Sequence, residues 1–326
     1  MAYYLGIDGG GSKTHALLTD EHGRVLGKGQ SGNGNHQINA EEAARHLAEA
    51  VAGALAPAGI QYADVQHAYF GLAGADREVD YRILHPIVRA IGLPRYSITC
   101  DTMIGLRAGT DRSYGISIIC GTGANCAGRN KAGEHLQVGG FNYMYGDFGG
   151  GAALNIEAFR TVIRAWDGRE KPTALTELML RFLGYNDVET MFNDFLDHDK
   201  QVPVDAAKLL FEAAAAGDEP AIAILRHQGA ELGKAAAAVA TRLGMADETF
   251  DVVLAGSLLT RGDRGWIRGA IEQLVHEVAP SANIVTLTVD PVFGAVWSAM
   301  EEDGLTISQD VYDRMRALGD FAQIQL

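Results

Sequence analysis

Apolar and polar positions alternate in short runs at the start of the chain and again near its middle. Residues 6–27 read GIDGGGSKTHALLTDEHGRVLG, and residues 120–140 read CGTGANCAGRNKAGEHLQVGG. Each segment predicts the end of a strand, a glycine-rich turn, a second strand, a tight turn and a third strand. We therefore expect two antiparallel meanders of three strands, each with an unusually bare first turn.

Further apolar runs follow both meanders in the same order. HAYFGLAGA (67–75) matches DVVLAGSLL (251–259), and YSITCDTMIGL (96–106) matches ANIVTLTVDPVFGA (282–295). Continuous apolar runs of this length are typical of buried parallel strands. The repeated order predicts a duplicated α/β domain.

Helical patterns fill the intervals between these runs. Asn39 with Glu42 resembles a capping box at the start of a helix, and further helices are expected over 205–216 and from Pro220 to about Gly244. The segment of about 151–245 is mostly helical and has no counterpart in the first half, which indicates an insertion. The expected organisation is a first domain over 1–115, a second domain over 116–306, and an amphipathic C-terminal helix of about 307–326 that can pack back onto the first domain.

Composition narrows the class of protein. The chain has 326 residues and a net charge of −14 without a basic cluster, so a nucleic-acid partner is not expected. Three cysteines, an odd number, favour a reducing compartment over a disulfide framework. No basic leader with a long apolar stretch and no run of about eighteen apolar residues is present. We therefore expect a cytoplasmic protein without a membrane span.

The turn after the first strand suits an anionic ligand. It is not a P-loop, because Ser12 rather than glycine precedes Lys13, and it is not a dinucleotide fingerprint, because a strand follows it. A backbone without Cβ atoms can approach a ligand closely and direct several N–H groups at it. Asp8 fits beside a phosphate if Mg²⁺ lies between them. The alternative is a tight hairpin whose glycines adopt positive φ.

The second glycine turn, Gly121-Thr122-Gly123, favours the ligand interpretation. Two such turns at equivalent points of two domains can bind one polyphosphate across a cleft. A third small-residue turn, Ala255-Gly256-Ser257, suits a nucleoside. Together these turns predict an ATP site. The predicted nucleotide-binding residues are Gly9, Gly10, Gly11, Ser12, Lys13, Thr14, Gly121, Thr122, Gly123, Ala255, Gly256 and Ser257.

These motifs carry a resemblance to a known family. The chain resembles the BadF/BadG/BcrA/BcrD ATPases of the superfamily of actin-like ATPases and sugar kinases, and within them the N-acetylglucosamine kinases. The resemblance implies two duplicated ribonuclease H-like domains with an interdomain cleft, and it implies ATP and Mg²⁺ as cofactors. The matching stretches are GIDGGGSKT (6–14), GNGNH (32–36), GLAGAD (71–76), DTMIGLRAG (101–109), CGTGAN (120–125), GGFNYMYGDFGGG (139–151) and LAGSL (254–258).

The resemblance also implies roles for single residues. It implies Asp8 for magnesium, through water, Thr122 near the phosphates, the turn at 255–257 near adenosine, and Asp101 as the general base. Independently, a carboxylate where a strand ends and a helix begins can project into a cleft. The alternative for Asp101 is a helix cap. Asp290, at the matching position of the repeat, is interpreted as the cap.

The sugar end of the site is predicted from two glycine-rich loops. The family places groups at the positions of Asn35, Asn125 and Asp147 on the amino sugar, and His36 is a further candidate. The alternatives are loop chemistry for Asn35 and a helix cap for Asp147. Phe148 and Gly150 depart from the family pattern, so the sugar pocket is the part least fixed by the resemblance.

The expected function is phosphorylation of an amino sugar by ATP, with N-acetylglucosamine and its 6-hydroxyl as the implied acceptor and a homodimer as the implied assembly. Glucosamine and N-acetylmuramic acid remain alternative substrates. An alternative from another class is an ATPase activator of a radical dehydratase, which would use cysteines such as Cys120 and Cys126 for an iron–sulfur cluster. A non-catalytic sugar sensor is disfavoured because Asp101 and both glycine turns are intact.

Overall fold

A computed structural model describes residues 1–261 and 264–325. Its strands form two sheets of five within that part of the chain. The chain divides into two compact units. Unit 1 comprises Met1–Ser117 with Val285–Leu326, and unit 2 comprises Ile118–Ile284.

The first half of the chain builds most of unit 1. Its sheet has the order β3-β2-β1-β4-β5. Strand β1 pairs antiparallel with β2 and parallel with β4, and β4 pairs parallel with β5. The elements are β1 Tyr3–Gly9, β2 Thr14–Asp20, β3 Val25–Ser31, α1 Ala40–Leu55, β4 Val65–Leu72, α2 Glu78–Ala90, β5 Tyr96–Cys100 and α3 Asp101–Gly109.

The second sheet repeats the first. Its order, β8-β7-β6-β9-β10, matches that of the first sheet strand for strand. This match confirms the predicted duplication of an α/β domain. The strands are β6 Gly115–Cys120, β7 Ala124–Arg129, β8 His135–Gln137, β9 Asp251–Ala255 and β10 Asn283–Thr286.

The helices lie close to their predicted positions. The Asn39 side chain accepts hydrogen bonds from the backbone N–H groups of Glu41 and Glu42, both at 3.1 Å, and so caps α1. The stretch 151–245 is helical as expected. In residues 1–261 and 264–325 no helix has the length and apolar character needed to cross a membrane. The remaining helices are α4 Gly151–Trp166, α5 Leu175–Leu183, α6 Val188–Asp197, α7 Ala207–Ala215, α8 Glu219–Arg242, α9 Ser257–Thr260, α10 Trp266–Val278, α11 Pro291–Glu302 and α12 Gln309–Arg316.

Both faces of the sheet of unit 1 are buried under helices. Because side chains alternate along a strand, neighbouring residues of β1 serve different cores. Leu5 packs in one core with residues of α1 and α2. Tyr4 packs in the other core with Trp297 of α11 and Met315 of α12. The result is a three-layer unit with helices on each side of the sheet.

Helix α11 lies in unit 1, whereas the predicted second domain extended to residue 306. The boundary in the structure falls at residue 284. The reason is a close approach of two backbones at Gly6 of β1, where an added Cβ would lie 2.5 Å from the backbone N of Val296. The approach lets α11 cover the β1 face. An apolar helix face read from sequence does not reveal which of two similar sheets it covers.

This approach gives a stability prediction. Gly6→Ala is expected to destabilise the protein by about 1–3 kcal/mol, because the new methyl group overpacks a rigid backbone contact. Urea unfolding measures the change. Gly269→Ala is the matched control, since a Cβ at Gly269 of α10 meets nothing within 4 Å. Equal stability of the two variants would contradict the close packing of α11 on β1.

Candidate active site

The glycine-rich turn of unit 1 connects β1 to β2. The Gly10 N–H donates to the Lys13 carbonyl at 2.9 Å and closes the turn. The Gly34 N–H donates to the Gly10 carbonyl at 2.9 Å, and the Ala73 N–H donates to the Gly9 carbonyl at 2.8 Å. Two other predicted motifs, GNGNH and GLAGAD, are thereby held against the turn.

The glycines of this turn are not explained by backbone conformation. None of Gly9, Gly10 and Gly11 has a positive φ, so the hairpin alternative does not account for them. Packing explains Gly9, where a Cβ would lie 2.6 Å from Leu72 Cδ2. At Gly10 the nearest atom is the Lys13 carbonyl oxygen at 3.4 Å, an ordinary contact distance. Fold and packing therefore leave the choice of glycine at position 10 unexplained.

The second turn, in unit 2, shows the same feature more clearly. Gly121 and Gly123 also lack positive φ, and a Cβ at either position would meet nothing within 4 Å. The carbonyls of Gly121 and Thr122 accept hydrogen bonds from the first N–H groups of α4, at Gly151 (2.8 Å) and Ala152 (2.9 Å). The helix start thus fixes the turn while leaving its glycine Cα atoms in open space.

The departure at Gly150 has a structural reason. A Cβ at this position would lie 2.4 Å from the Gly123 carbonyl oxygen, so a side chain does not fit without moving the second turn. Gly256 has a comparable constraint. Its φ is +89°, and a Cβ there would lie 2.4 Å from the Cys120 carbonyl oxygen. The turn between β9 and α9 therefore requires glycine for structural reasons, whether or not it binds a ligand.

Two buried acidic side chains of unit 1, Asp8 and Asp101, have raised pKa values. Burial, together with the charge of Asp101, raises the pKa of Asp8 to about 7, while Lys13 opposes the shift. Burial raises the pKa of Asp101 to about 6, and the charge of Asp76 adds to the rise. The Cys100 Sγ atom lies 3.2 Å from a carboxylate oxygen of both Asp76 and Asp101. Concentrated negative charge of this kind favours a bound cation.

Asp101 is the first residue of α3, and Cys100 occupies the capping position. The simple cap interpretation of Asp101 therefore does not hold. Asp290 occupies the capping position of α11, as predicted, but its side chain makes no capping hydrogen bond. It accepts a hydrogen bond from the Phe321 N–H at 2.6 Å instead, because the C-terminal segment folds back beside it.

The loop of residues 32–36 contains one accessible candidate and one buried residue. The Asn35 Oδ1 atom accepts from the Gln37 N–H at 2.8 Å, and the side chain remains half-buried. His36 is only 7 % exposed, and its Nε2 atom lies 3.2 Å from Asp80 Oδ1. The prediction of a direct sugar contact is not supported for His36. Its ring instead anchors the loop to the start of α2.

Asp80 is the charged end of that anchor. Burial alone would raise its pKa, but hydrogen bonds from Arg77, Gln37 and His36 lower the pKa of Asp80 to about 2. Its carboxylate therefore stays ionised throughout the range in which proteins function. The loop bearing Asn35 is held by a permanent charge.

In unit 2, Asp147 closes the loop that precedes α4. Its Oδ2 atom accepts hydrogen bonds from the N–H groups of Phe141 (2.7 Å) and Asn142 (2.9 Å). The cap interpretation of Asp147 is wrong, because Gly150 occupies the capping position of α4. The loop backbone passes close to both predicted sugar ligands, since a Cβ at Gly140 would lie 2.5 Å from Asn125 Oδ1.

A cavity of about 250 Å³ lies in unit 2 beside these two residues. One of its walls is α8, which sequence reasoning did not connect with the site. Gln228 of α8 lies on the buried face of the helix between Leu225 and Leu232. A polar residue at an apolar helical position was the signal available in the sequence. Residues that define the cavity are Asn125, Val138, Asp147, Phe148, Gln228 and Leu232.

Residues 5–299 match the BadF/BadG/BcrA/BcrD ATPase family. The chain belongs to this ATPase family. The match spans both units and contains every predicted site residue.

Two relatives of this family member are sugar kinases. The chain is 29 % identical over 306 residues to the N-acetylmuramic acid/N-acetylglucosamine kinase of Clostridium acetobutylicum, covering 93 % of this chain and 99 % of that one. It is 28 % identical over 312 residues to the N-acetyl-D-glucosamine kinase of Dictyostelium discoideum, covering 91 % and 97 %.

Solved structures share the fold of this ATPase. A proposed N-acetylglucosamine kinase from Chromobacterium violaceum superposes with a TM-score of 0.68 at 24 % identity, covering 91 % of this chain and 98 % of that one. A ROK family glucokinase from Streptomyces griseus, in complex with glucose and AMPPNP, superposes with a TM-score of 0.57 at 18 % identity, covering 92 % and 100 %. These similarities confirm the predicted α/β fold of the sugar-kinase and actin-like ATPase type.

Proposed function

We propose that this protein is an ATP-dependent amino-sugar kinase that phosphorylates N-acetylglucosamine at its 6-hydroxyl. The observation that carries the proposal is the bare backbone at Gly10, Gly121 and Gly123. Neither backbone conformation nor packing requires glycine at these positions. A ligand that approaches the backbone does require it. Membership of an ATPase family and the activities of the two relatives support ATP and an amino sugar as the ligands.

In this proposal the two turns bind the phosphates of one ATP. Phosphate oxygens approach the backbone of 9–11 and 121–123, as in other glycine-rich turns, and bind N–H groups other than those of Gly10 and Gly121, which close the two turns. Ser12, Lys13, Thr14 and Thr122 add side-chain donors or positive charge. Ala255, Gly256 and Ser257 contact the nucleoside. Lys13 is exposed at the end of the first turn, where its ammonium is available to phosphate.

Asp8 fits the role of holding Mg²⁺. It offers carboxylate oxygens, which this cation prefers. Burial and the neighbouring charge of Asp101 together raise the pKa of Asp8 to about 7, so a cation at Asp8 would relieve a repulsion. When bound, Mg²⁺ supplies neutralisation of the phosphate charge. A single protein carboxylate suffices because Mg²⁺ commonly keeps several water ligands.

Asp101 acts as the general base. Its carboxylate accepts the proton of the sugar 6-hydroxyl as the hydroxyl oxygen bonds to the γ-phosphorus, and the bond from that phosphorus to the bridging oxygen of ADP breaks. Asn35, Asn125 and Asp147 bind the sugar, and His36 positions the loop that bears Asn35. A base with a pKa near the working pH transfers protons well, which agrees with the raised pKa of Asp101.

The radical-dehydratase activator is a weaker alternative. Cys100, Cys120 and Cys126 are all buried. Burial raises the pKa of Cys120 and of Cys126 to about 12, whereas a cluster ligand must be a thiolate. The cysteine environment therefore gives this alternative no support. Glucosamine and N-acetylmuramic acid remain alternative acceptors.

A sugar panel tests the proposal. Purified protein, ATP and MgCl₂ are incubated with N-acetylglucosamine, glucosamine, N-acetylmuramic acid and glucose, and ADP release is measured. We expect the highest kcat/KM with N-acetylglucosamine, and ³¹P NMR should identify a 6-phosphate. ADP release that is independent of every sugar would overturn the kinase proposal. A preference for glucosamine would overturn the choice of substrate.

The pH dependence of that activity is a further prediction. The base must be ionised, so kcat/KM is expected to be constant at high pH and to fall about tenfold per unit below the Asp101 pKa of about 6. Protonation of Asp8, with a pKa of about 7, would also weaken Mg²⁺ binding. Repeating the profile at high Mg²⁺ separates the two effects, because the cation competes with the proton at Asp8 only. A flat profile down to pH 5 would contradict the assignment of Asp101.

A further inference from the structure

The cavity of unit 2 is lined by a buried carboxamide, that of Gln228. Gln228 is 1 % exposed, and neither its Nε2 nor its Oε1 atom has a hydrogen-bond partner among the described residues. Buried polar groups are nearly always hydrogen-bonded, and leaving one unmet costs stability. Gln228 lines a cavity, and both polar atoms of its carboxamide lack hydrogen-bond partners in the described part of the chain. This arrangement indicates a ligand that supplies the missing partners.

The surroundings of Gln228 define the shape and polarity of that ligand. Asn125 and Asp147, which we propose as sugar ligands, line the same cavity. Val138, Phe148 and Leu232 give it an apolar side. The Phe148 ring meets the His227 ring edge to face, with 4.6 Å between centroids, which holds Phe148 in place. The ligand must combine hydrogen-bonding atoms with a small apolar group.

The charged residues of the cavity already have partners in the protein, although Asp147 uses only its Oδ2 atom in them. Glu231 Oε1 pairs with Lys234 Nζ at 2.6 Å. Asp147 Oδ2 accepts the two backbone bonds that close its loop. A free ammonium group would find Gln228 Oε1 as an acceptor but would leave the Nε2 donor unmet. A hydroxyl group meets either end but has no apolar part.

An acetamido group matches all of these features. Its carbonyl oxygen can accept from Gln228 Nε2, a neighbouring sugar hydroxyl can donate to Oε1, and its methyl group suits the apolar side. We propose that Gln228 hydrogen-bonds the 2-acetamido group of the sugar and selects N-acetylated acceptors over free amines. This inference rests on the proposed amino-sugar kinase function.

The test variant is Gln228→Leu, which keeps the approximate volume and removes both polar ends. We expect KM for N-acetylglucosamine to rise about tenfold or more and KM for glucosamine to rise clearly less, because glucosamine loses only the contact to Oε1, while KM for ATP stays close to wild type. The thermal midpoint without sugar should be unchanged or higher, since the substitution removes an unmet buried polar group. Gln273→Leu, at an exposed position of α10, is the matched control and should leave every constant unchanged.

The outcomes separate this inference from the proposed function. If the wild-type protein releases no ADP in response to any amino sugar, both are overturned. If the wild type is active and Gln228→Leu keeps the wild-type ratio of the two sugars, only the role of Gln228 is overturned. A lower thermal midpoint with an equal rise in both KM values would assign Gln228 to stability and overturn it as well. If Gln228→Leu does not fold, Gln228→Met is judged by the same ratio.

Discussion

Asp101→Asn is expected to reduce kcat for sugar phosphorylation by about 10²–10⁴-fold while ATP affinity stays close to wild type. The amide is the same size as the carboxylate but cannot accept the proton of the sugar hydroxyl. ATP binding is expected to survive because the phosphates bind to backbone groups of the glycine turns. Turnover numbers and calorimetric ATP affinity, both measured at pH 8, check the two halves of this expectation.

Stability provides an independent readout for the same variant. The pKa of Asp101 in the folded protein, about 6, is above its usual value of 3.8. Ionisation therefore costs folding free energy, and this cost grows as the pH rises from about 3.8 through 6. At pH 8, Asp101→Asn should be at least as stable as the wild type. Asp205→Asn, at an exposed site paired with Lys208, is a control that should retain full turnover, and near wild-type turnover in Asp101→Asn itself would eliminate Asp101 as the base.

Gly10→Val is expected to abolish measurable ATP binding without unfolding the protein. A Cβ at this position has an ordinary contact distance of 3.4 Å to Lys13 O, and φ is not positive, so the fold can accept a side chain. The same side chain would occupy the space that a phosphate must enter. A hydrogen bond to a charged group contributes about 1.5–3 kcal/mol, so losing two of them weakens ATP binding about 100-fold or more. Isothermal calorimetry with ATP and MgCl₂ measures the loss.

Two further variants locate the effect. Gly123→Val should weaken ATP binding in the same way, because a Cβ at Gly123 meets nothing within 4 Å and the fold can accept the side chain. Gly269→Val adds the same side chain to an open position of α10 and should bind ATP like the wild type. Wild-type affinity in a folded Gly10→Val protein would remove the first turn from the nucleotide site. Loss of binding with a collapse of the thermal midpoint in all three variants would point to folding instead.

Much of the fold follows from local pattern. The strands β1 to β3 and β6 to β8 lie where alternation and turn residues predicted them, since a strand's side-chain period depends only on its own backbone. The Asn39 cap and the ends of α7 and α8 are equally local. The glycine turns could be located in the sequence as well. The reason for their glycines could not be predicted, because backbone conformation, close packing and the approach of a ligand all select glycine. Only the tertiary structure distinguishes these three reasons.

The assignment of single polar residues depended on contacts between distant parts of the chain. His36 is buried against Asp80, which is 44 residues away in the sequence and contacts its ring. The asparagine–histidine motif by itself does not reveal this partner. Asp290 occupies the capping position of α11, but its side chain accepts a hydrogen bond from the backbone N–H of Phe321 instead of from its own helix. A role could be proposed for Gln228 only because β7 and the loop before α4 place Asn125 and Asp147 around the same cavity.

From its sequence alone, this protein is a duplicated α/β chain with two bare turns and a carboxylate at the end of a strand. Hydrophobic periodicity, turn residues and the repeated order of motifs are properties of short segments, so they can be recognised in the sequence without knowledge of the fold. The tertiary structure decided that α11 covers β1, that Gly121 and Gly123 face open space while Gly10 has only an ordinary contact, and that Gln228 finds no hydrogen-bond partner within residues 1–261 and 264–325. Each of these depends on how closely remote backbones approach one another, and no local pattern encodes that distance.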